Sequence, residues 1–346
     1  MLWDLFCRVV DNHGDLGVCW RLARDLHTRG VAVRLWVDDA SALAWMAPEA
    51  MRGEPGPTVL DWHAPVPTPG DVVIEAFGCD PPAAFVEAMA RCHPPPRWIN
   101  LEYLSAETWV ERAHGLPSPQ GSGPGRGLVK HFHFPGYTPT TGGLLREPGL
   151  LEARRAFDRN PWLAARGWTT ARGERLVSLF CYPQAPIDAL AAALAGQPTL
   201  LLLCGAAREP APPWPAGLRC LRVPWLAQDD YDRLLWSCDL NVVRGEDSAV
   251  RALWAGAPFI WQLYPQDDGV HALKLDAFAD RFGAARVPGL APLWRRWNGL
   301  EAGPLELPPA GPWRDRCIDF VAGLMQQADL TTQLLAAVSG ETPATC

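Results

Sequence analysis

The sequence predicts an α/β protein made of two open, doubly wound domains with parallel sheets that face each other across a cleft. Strand patterns alternate with helical patterns in the first part of the chain, and the same alternation returns in the second half. The chain has 346 residues, which exceeds the size at which one hydrophobic core usually keeps growing. We therefore expect an N-terminal domain over 1–155, a C-terminal domain over 156–312, and helices at 313–346 that pack back across the domain junction.

In the N-terminal part, apolar runs and amphipathic segments arrive in the order strand, helix, strand. The apolar run 2–10 fits a buried first strand. A helical pattern follows over 18–30 and ends at Gly30, and 31–39 fits the second strand. Further strands are expected at 71–78 and 97–103.

The second half repeats this order after an irregular segment. Residues 117–127 are so rich in proline and glycine that we expect a mobile loop that does not pack. Helical patterns are expected at 187–196, 231–238, 249–256 and 315–338. Strands are expected at 175–182, 198–205, 218–226, 239–243 and 258–264.

Composition limits the classes of function. The formal net charge is −7 and there is no long basic run, which argues against binding nucleic acid or an anionic membrane through bulk charge. The first residues lack the basic region of a signal peptide and the apolar runs are too short to span a bilayer, so we expect a cytoplasmic protein. The ten cysteines include no C-x-x-C pair, which favours buried free thiols over disulfides or a metal site.

The first motif is the turn at 11–17, which follows the first strand. Ligands of open parallel sheets bind outside the carboxyl ends of the strands. Gly14 and Gly17 permit positive φ or close backbone approach, and a helix starting near Val18 would offer unpaired N–H groups. Asp11 and Asp15 either cap the turn and helix or serve a ligand. The spacing matches neither the G-x-G-x-x-G fingerprint nor a Walker A loop.

The second motif is 244–248, at the end of the strand 239–243. Asp247 or Ser248 would cap the next helix, and both are candidates for capping alone. The free N–H groups of that helix start, with Arg244 nearby, would hold a diphosphate without a metal. Glu246 could accept a hydrogen bond from a sugar hydroxyl.

Polar residues also crowd the loop after the strand 258–264. They form either a turn or a ligand-facing rim, while His271, at the head of the next helix, suits a structural or capping role. No Ser-His-Asp or Cys-His arrangement can be assembled from local motifs. The polar group comprises Tyr264, Gln266, Asp267 and Asp268.

Several stretches together resemble the family of protein-arginine rhamnosyltransferases that modify bacterial elongation factor P. The resemblance covers nearly the whole chain and implies a GT-B glycosyltransferase with two Rossmann-like domains, no metal and no cofactor. It implies inverting transfer of L-rhamnose from dTDP-β-L-rhamnose to one arginine of elongation factor P. The stretches are FCRVVDNHGDLGVCWRLARDL, WINLEYLSAETWV, FHFPGYTPTTGGLLRE, SLFCY and RGEDSAVRALWAGAPFIWQLYPQDDGVHALKLDAF.

The resemblance also implies roles for individual residues. Asp11 and Asp15 match the acceptor-side aspartates, with Asp15 as the base or the group that orients the acceptor, and Glu246 joins them as a candidate catalytic residue. Where the family usually has phenylalanine, this chain has His13 and Trp225. The donor-binding groups fall on Phe180 and Tyr182 beside the thymine, Trp225, Gln228 near the nucleotide, and Arg244, Glu246, Asp247, Ser248 and Tyr264 around the diphosphate and deoxyribose.

The chemistry of an arginine acceptor agrees with these residue types. A guanidinium keeps its proton up to a pH of about 12, so it is a poor nucleophile in water. Carboxylates such as Asp11 and Asp15 can orient it, localise its charge and accept a proton as the sugar bond forms. The alternatives are a GT-B enzyme with another nucleotide sugar or acceptor, a non-catalytic module that binds a translation factor, and an NAD-dependent dehydrogenase, which the missing fingerprint disfavours.

Overall fold

The computed structural model describes residues 1–10, 13–52, 54–265 and 269–340. The chain divides into two units: Met1–Pro148 together with Met325–Cys346, and Gly149–Leu324. Each unit contains its own largely or wholly parallel sheet, which confirms the predicted α/β class. The predicted division after 155 and 312 stays a prediction.

The first unit contains a seven-stranded sheet. Its elements up to Pro148 are β1 (Leu2–Cys7), α1 (Gly14–Thr28), β2 (Ala32–Val37), α2 (Leu43–Met46), α3 (Pro48–Met51), β3 (Thr58–Asp61), β4 (Val72–Ala76), α4 (Ala83–Arg91), β5 (Arg97–Leu101), α5 (Thr108–Ala113), β6 (Pro117–Pro119) and β7 (Val129–His133). The strands lie in the order β3-β2-β1-β4-β5-β7-β6. All neighbours are parallel except β6 and β7. The four predicted strands are confirmed, each shorter than its predicted range.

Strand β1 is covered on both faces of this sheet. Successive side chains of a strand point to opposite faces, so Leu5 packs in one cluster with Leu16 of α1, and Phe6 packs in the other. Phe6 stacks on Trp36 at a centroid distance of 5.4 Å and meets Phe85 edge-on at 4.7 Å. Burying each such side chain stabilises the fold by about 1.5–3 kcal/mol. Both layers therefore hold the carboxyl end of β1, where the first motif begins.

The segment 117–127 corrects one sequence expectation. We predicted that it would not pack, but β6 pairs with β7 and Gly125 is buried. Proline is tolerated in β6 because β6 is an edge strand and needs no second ladder partner. A Cβ on Gly125 would come within 3.1 Å of Val86 and 3.2 Å of Trp98, so the missing side chain is what lets the segment approach. The prediction was wrong because proline and glycine suit edges and close contacts as well as loops.

The second unit has a five-stranded, wholly parallel sheet of order β10-β9-β8-β11-β12, in labels that continue along the chain. The predicted strands and the helices before residue 300 are confirmed with shifted ends. The elements are α6 (Leu150–Ala156), α7 (Arg159–Ala164), β8 (Arg175–Leu179), α8 (Ile187–Ala193), β9 (Thr199–Leu203), β10 (Leu218–Arg222), α9 (Gln228–Ser237), β11 (Leu240–Arg244), α10 (Gly245–Ala255), β12 (Phe259–Gln262), α11 (Val270–Phe282), a 3₁₀ turn (Ala284–Arg286), α12 (Leu290–Trp297) and α13 (Ala310–Leu324).

The C-terminal helical pattern is two helices rather than one. Helix α13 belongs to the second unit, whereas α14 (Leu330–Ser339) belongs to the first. The Asp329 side chain caps α14 by accepting a hydrogen bond from the Thr332 N–H at 2.9 Å, and Arg29 binds Asp329 at 2.8 Å. Leu330 lies in the first unit's core. Among the described helices, none combines the length and the apolar character needed to cross a membrane.

Cysteines in the described part of the chain carry free thiols, as predicted. Seven of them are buried, and Cys92 and Cys220 are half-buried. Burial raises the pKa of the Cys204 thiol to about 12 and likewise that of Cys317 to about 12. Such thiols are protonated at neutral pH and act as small apolar side chains.

Candidate active site

The carboxyl edge of the second sheet collects most of the predicted donor-binding residues. Strands β8, β11 and β12 are neighbours and parallel, so their carboxyl ends meet at one edge. Phe180 and Tyr182 follow β8, Arg244 ends β11, and Tyr264 follows β12. Tyr182 and Tyr264, which are 82 positions apart in the sequence, therefore come together here.

Arg244 lies over two aromatic rings at this edge. Its guanidinium carbon is 4.4 Å from the ring centroid of Phe180 and 4.6 Å from that of Tyr182. Both distances fall within the range of about 6 Å in which a cation is attracted to an aromatic face. The two rings therefore hold the guanidinium in one position. Without them, the flexible side chain of an arginine at a strand end would be poorly ordered.

Tyr182 is itself fixed from two sides. Its backbone N–H donates to Oε1 of the buried Gln262 at 2.8 Å. Its ring meets the ring of Tyr264 edge-on at a centroid distance of 5.5 Å, and Tyr264 is 46% exposed. Sequence reasoning missed Gln262, because a glutamine inside a buried strand carries no signal that it binds the loop after β8, two strands away.

An apolar wall stands beside Phe180. Gly205, which follows β9, has φ of +59°, and a Cβ there would lie 3.1 Å from both Phe180 and Trp225. Trp225 is 45% exposed, so its indole presents a flat surface to solvent next to the half-buried Phe180. Gly205 was also missed, although a glycine directly after the buried run 199–204 is a signal of close approach.

Helix α9 contributes another predicted donor-binding residue. Gln228 is the first residue of α9 and is buried, and Tyr231 lies one turn later on the same face. The Tyr231 ring meets Phe180 at 5.9 Å, which ties the start of α9 to the aromatic wall. Burial raises the pKa of the Tyr231 hydroxyl, so it stays protonated.

Helix α10 begins earlier than predicted. We expected Asp247 or Ser248 to cap it, but its first residue is Gly245, and Arg244 occupies the N-cap position without a side-chain cap bond. The reason is that β11 extends to Arg244 and Gly245, with φ of +64°, turns the chain directly into the helix. Ser248 lies in the first turn, where its hydroxyl accepts from the Arg244 N–H at 3.2 Å and donates to the Arg244 carbonyl.

The acidic first turn of α10 faces a lysine that sequence reasoning missed. Lys274 Nζ lies 3.7 Å from Glu246 Oε1, and both side chains are 22% exposed. Glu246 and Asp247 are also placed where the positive end of the helix dipole favours carboxylates. Lys274 belongs to α11, which begins at Val270 with His271 in its first turn, as predicted. The loop residues Gln266, Asp267 and Asp268 lie outside the described residues.

The first unit carries Asp15 at the corresponding edge of its own sheet. Asp15 is 4% exposed, and its Oδ2 accepts a hydrogen bond from the Val10 N–H at 2.9 Å. Helix α1 begins at Gly14 instead of near Val18, so Gly14 and Gly17 are both helical and the turn is shorter than predicted. The prediction was wrong because glycine was taken as a turn signal. Asp11 lies outside the described residues.

Neighbouring strand ends add two features that sequence reasoning did not single out. After β2, Asp38 accepts a hydrogen bond from the Val9 N–H at 2.9 Å, and hydrogen bonds from Ser41 lower the pKa of Asp39. After β4 and β5, the rings of Phe77 and Tyr103 stack at 4.6 Å with an interplanar angle of 19°. Phe77 has φ of +59°, which costs a non-glycine residue about 1–3 kcal/mol.

His13, the departure noted in the sequence, lies at the N-cap of α1. Its ring meets Trp45 edge-on at a centroid distance of 5.2 Å. Within the described ranges, no group of three or more histidine, cysteine, aspartate or glutamate side chains is placed to hold a metal ion. The edge of the second unit therefore offers an arginine, aromatic faces and a helix N-terminus. The edge of the first unit, taken by itself, carries carboxylates and aromatic rings.

Comparison with known families decides between the alternatives. The family described as Elongation-Factor P (EF-P) rhamnosyltransferase EarP matches residues 3–339. The chain belongs to the EarP family. Membership confirms the family resemblance and makes the chain an enzyme of the glycosyltransferase class. It excludes two of the alternative functions, the NAD-dependent dehydrogenase and the non-catalytic binding module.

Relatives of the EarP family match most of the chain. Proteins named protein-arginine rhamnosyltransferase from Pseudomonas putida and Pseudomonas aeruginosa are 47% and 45% identical, over 86% of this chain and 86% of each relative. One from Neisseria meningitidis is 39% identical over 86% of this chain and 84% of the relative.

Solved structures confirm the GT-B fold. One described as the structural basis for EarP-mediated arginine glycosylation of translation elongation factor EF-P has a TM-score of 0.64 and 28% identity, covering 99% of each chain. Spinosyn rhamnosyltransferase SpnG, with a TM-score of 0.56 and 12% identity over 97% of this chain and 99% of its own, shares the fold alone. The roles assigned to individual residues stay predictions.

Proposed function

We propose that this member of the EarP family transfers L-rhamnose from dTDP-β-L-rhamnose to an arginine side chain of elongation factor P, with inversion at the anomeric carbon. The observation that carries the donor half of the proposal is the position of Arg244 over Phe180 and Tyr182, at the start of α10. A cation, flat rings and a helix N-terminus at one sheet edge match the phosphate and base of a nucleotide sugar.

In the proposed donor complex, the second unit binds dTDP. The exposed Trp225 and the half-buried Phe180 offer ring faces to the thymine, while the buried Tyr182 holds Arg244 beside it. Base–aromatic stacking is worth about 1–3 kcal/mol per base. Gln228 lies near the nucleotide, and Asp247 and Tyr264 lie around the deoxyribose and diphosphate.

The diphosphate in this complex needs no metal. The backbone N–H groups at the start of α10 and the Arg244 guanidinium supply the positive charge that it requires. The Ser248 hydroxyl, which binds the Arg244 backbone, supports this segment. We therefore propose that the reaction uses no metal and no cofactor.

In the proposed transfer, the acceptor nitrogen attacks the anomeric carbon from the face opposite dTDP. The nitrogen–carbon bond forms as the bond from that carbon to the diphosphate oxygen breaks, and a guanidinium proton passes to a carboxylate. Asp15 is the proposed acceptor of that proton, with Asp11 and Glu246 as further candidate catalytic groups. The α10 start and Arg244 stabilise the negative charge that develops on the leaving dTDP.

The Val10 N–H bond gives Asp15 its orientation. A carboxylate held by a backbone donor has fewer conformations to lose when it binds the acceptor guanidinium, so its alignment costs less entropy. The proposed acceptor is a translation factor, so we also propose that the enzyme works in the cytoplasm.

The test is intact-protein mass spectrometry of elongation factor P after incubation with the enzyme and dTDP-β-L-rhamnose, with and without EDTA. We expect a gain of one deoxyhexose on a single arginine in both conditions, and an α-linked product by NMR. Asp15→Asn should bind dTDP normally and transfer nothing. The matched control is Asp71→Asn, since Asp71 also accepts a backbone hydrogen bond, from Leu2 N–H at 2.7 Å, but at the amino edge of the same sheet.

Other results would redirect the proposal. Full transfer by Asp15→Asn would refute its role as the base. No gain with dTDP-rhamnose, but binding of a UDP- or ADP-sugar in competition, would leave a GT-B glycosyltransferase with a different donor. Loss of activity in EDTA that added metal restores would refute the metal-free reaction.

A further inference from the structure

In the aromatic pair Phe77–Tyr103, the fold holds the backbone of Phe77 in an unfavourable conformation. Phe77 has a left-handed φ of +59°, a conformation that glycine adopts without strain. The conformation is fixed on the next strand, because the Phe77 N–H donates to the Leu101 carbonyl at 2.6 Å and the Gly78 N–H donates to Asn100 Oδ1 at 3.3 Å. A strained phenylalanine at a position suited to glycine indicates that its ring makes a contact that offsets the strain.

The ring of Phe77 is used to support Tyr103. The two rings are nearly parallel, with centroids 4.6 Å apart, and Phe77 also packs against the core cluster that contains Leu16 of α1. Phe77 is half-buried, whereas Tyr103 is 36% exposed. The pair therefore presents a rigid aromatic surface whose inner ring is anchored in the core.

The strand order places this surface next to carboxylates. The order β2-β1-β4-β5 puts Asp38 and Asp39 after β2, Asp15 in the first turn of α1, which follows β1, Phe77 after β4 and Tyr103 after β5. Neighbouring strands lie about 4.8 Å apart, so the row spans roughly 15 Å. One half of the edge is acidic and the adjacent half is aromatic.

The side chain of Arg8 already places a guanidinium against an aromatic ring at this edge. Arg8, which follows β1, has its guanidinium carbon 5.2 Å from the ring centroid of Trp62, which follows β3. Arg8 is thus engaged with the β3 end of the edge. Phe77 and Tyr103 lie on the opposite side of β1, toward β4 and β5.

We propose that Phe77 and Tyr103 form the binding platform for the guanidinium of the acceptor arginine, a role that rests on the proposed function. A guanidinium is both a cation and a flat plate, so it gains from a carboxylate in its plane and an aromatic ring on its face. Asp15 supplies the first and Tyr103 the second, with Phe77 backing the tyrosine. Stacking fixes the plane of the guanidinium, so that one nitrogen faces the sugar while the carboxylate holds another.

The test compares the binding of two forms of elongation factor P, one with its acceptor arginine and one with that arginine changed to alanine. Calorimetry is run on the wild type, Tyr103→Leu, Tyr103→Phe and Trp214→Leu. Trp214 is a matched control because it is an exposed aromatic, at 39%, in a loop of the second unit. We expect Tyr103→Leu to weaken binding of the arginine form about tenfold and leave the alanine form unchanged. Tyr103→Phe and Trp214→Leu should match the wild type.

Steady-state kinetics provide a second measurement that a merely structural role would not reproduce. Tyr103→Leu should raise the KM for the acceptor while leaving the KM for the donor and the dTDP affinity unchanged. A loss that is equal for both acceptor forms would show that Tyr103 contacts another part of the acceptor, and wild-type behaviour of Tyr103→Leu would show no contact. Either result would refute the proposed platform and leave the proposed function standing. If the wild type neither binds nor modifies elongation factor P, the proposed function fails first and the platform fails with it.

Discussion

Replacing Arg244 by lysine isolates what the planar guanidinium contributes to donor binding. Lysine keeps the positive charge near the diphosphate, but it loses the flat group that lies 4.4 Å from Phe180 and 4.6 Å from Tyr182. Each cation–ring contact is worth about 0.5–2 kcal/mol, depending on how far water is excluded. The contacts order the guanidinium before dTDP binds, so losing both weakens binding by up to about 1–4 kcal/mol, which is about 5- to 900-fold in the Kd for dTDP.

Titration calorimetry with dTDP measures this directly on the wild type and Arg244→Lys. The matched control is Arg219→Lys, because Arg219 also binds through a planar pair, to Glu174 at 2.6 Å, on the outer strand β10. Circular dichroism melting should show that both variants fold. A dTDP affinity within twofold of the wild type in Arg244→Lys, or the same loss in Arg219→Lys, would refute the argument that the two rings position the cation.

Two further predictions follow from the structure. Gly205→Ala places a Cβ 3.1 Å from Phe180 and Trp225 at a positive φ, so we expect about 1 kcal/mol or more of destabilisation and weaker dTDP binding, measured by urea unfolding and calorimetry; unchanged dTDP affinity would show that the apolar wall is not part of the donor site. Burial lowers the pKa of His133 to about 3, below the unfolded value of about 6.5, so the unfolded chain binds a proton that the fold does not. Stability contributed by the neutral imidazole is therefore lost as pH falls from about 6.5 toward 3, by up to about 1.4 kcal/mol per pH unit, and urea midpoints between pH 7.5 and 5 should fall more for the wild type than for His133→Gln. Parallel pH curves for the two proteins would contradict the assignment to His133.

The architecture of both units was predictable because hydrophobic periodicity reports it directly. Four consecutive buried leucines, 200–203, make up most of β9, and such an unbroken apolar run is typical of a parallel strand covered on both faces. The helical patterns between such runs then require parallel strands with crossovers. Strand pairing itself, including the interior position of β1 and the central position of β8, came only from the structure.

Helix starts were the least predictable feature of the site, and glycine was the cause for α1 and α10. Gly14 opens α1 with ordinary helical neighbours, and Gly245 turns β11 straight into α10. Glycine permits both behaviours, so its presence alone does not locate a helix start. The error moved the expected cap at Ser248 by several residues, although the set of residues around the site was still predicted.

Residues that meet only through sheet pairing were missed. Phe77 and Tyr103 are 26 positions apart, and each follows an apolar strand in an unremarkable sequence context. Their stacking depends on the parallel register that sets Ala76 opposite Leu101. Gln262 is a similar case, since its bond to the Tyr182 backbone joins two strands separated by β11.

The chain enters the first unit twice, and this has a consequence for how the enzyme is made. Leu330 and Leu334 of α14 belong to the core cluster that also contains Leu5 of β1. A ribosome synthesises the N-terminus first. The core around β1 is therefore incomplete until α14 has been synthesised, which happens after the whole of Gly149–Leu324. The second unit is continuous and has its full set of core residues earlier. During synthesis, the half with Asp15 is therefore the last to be completed, although its sequence comes first.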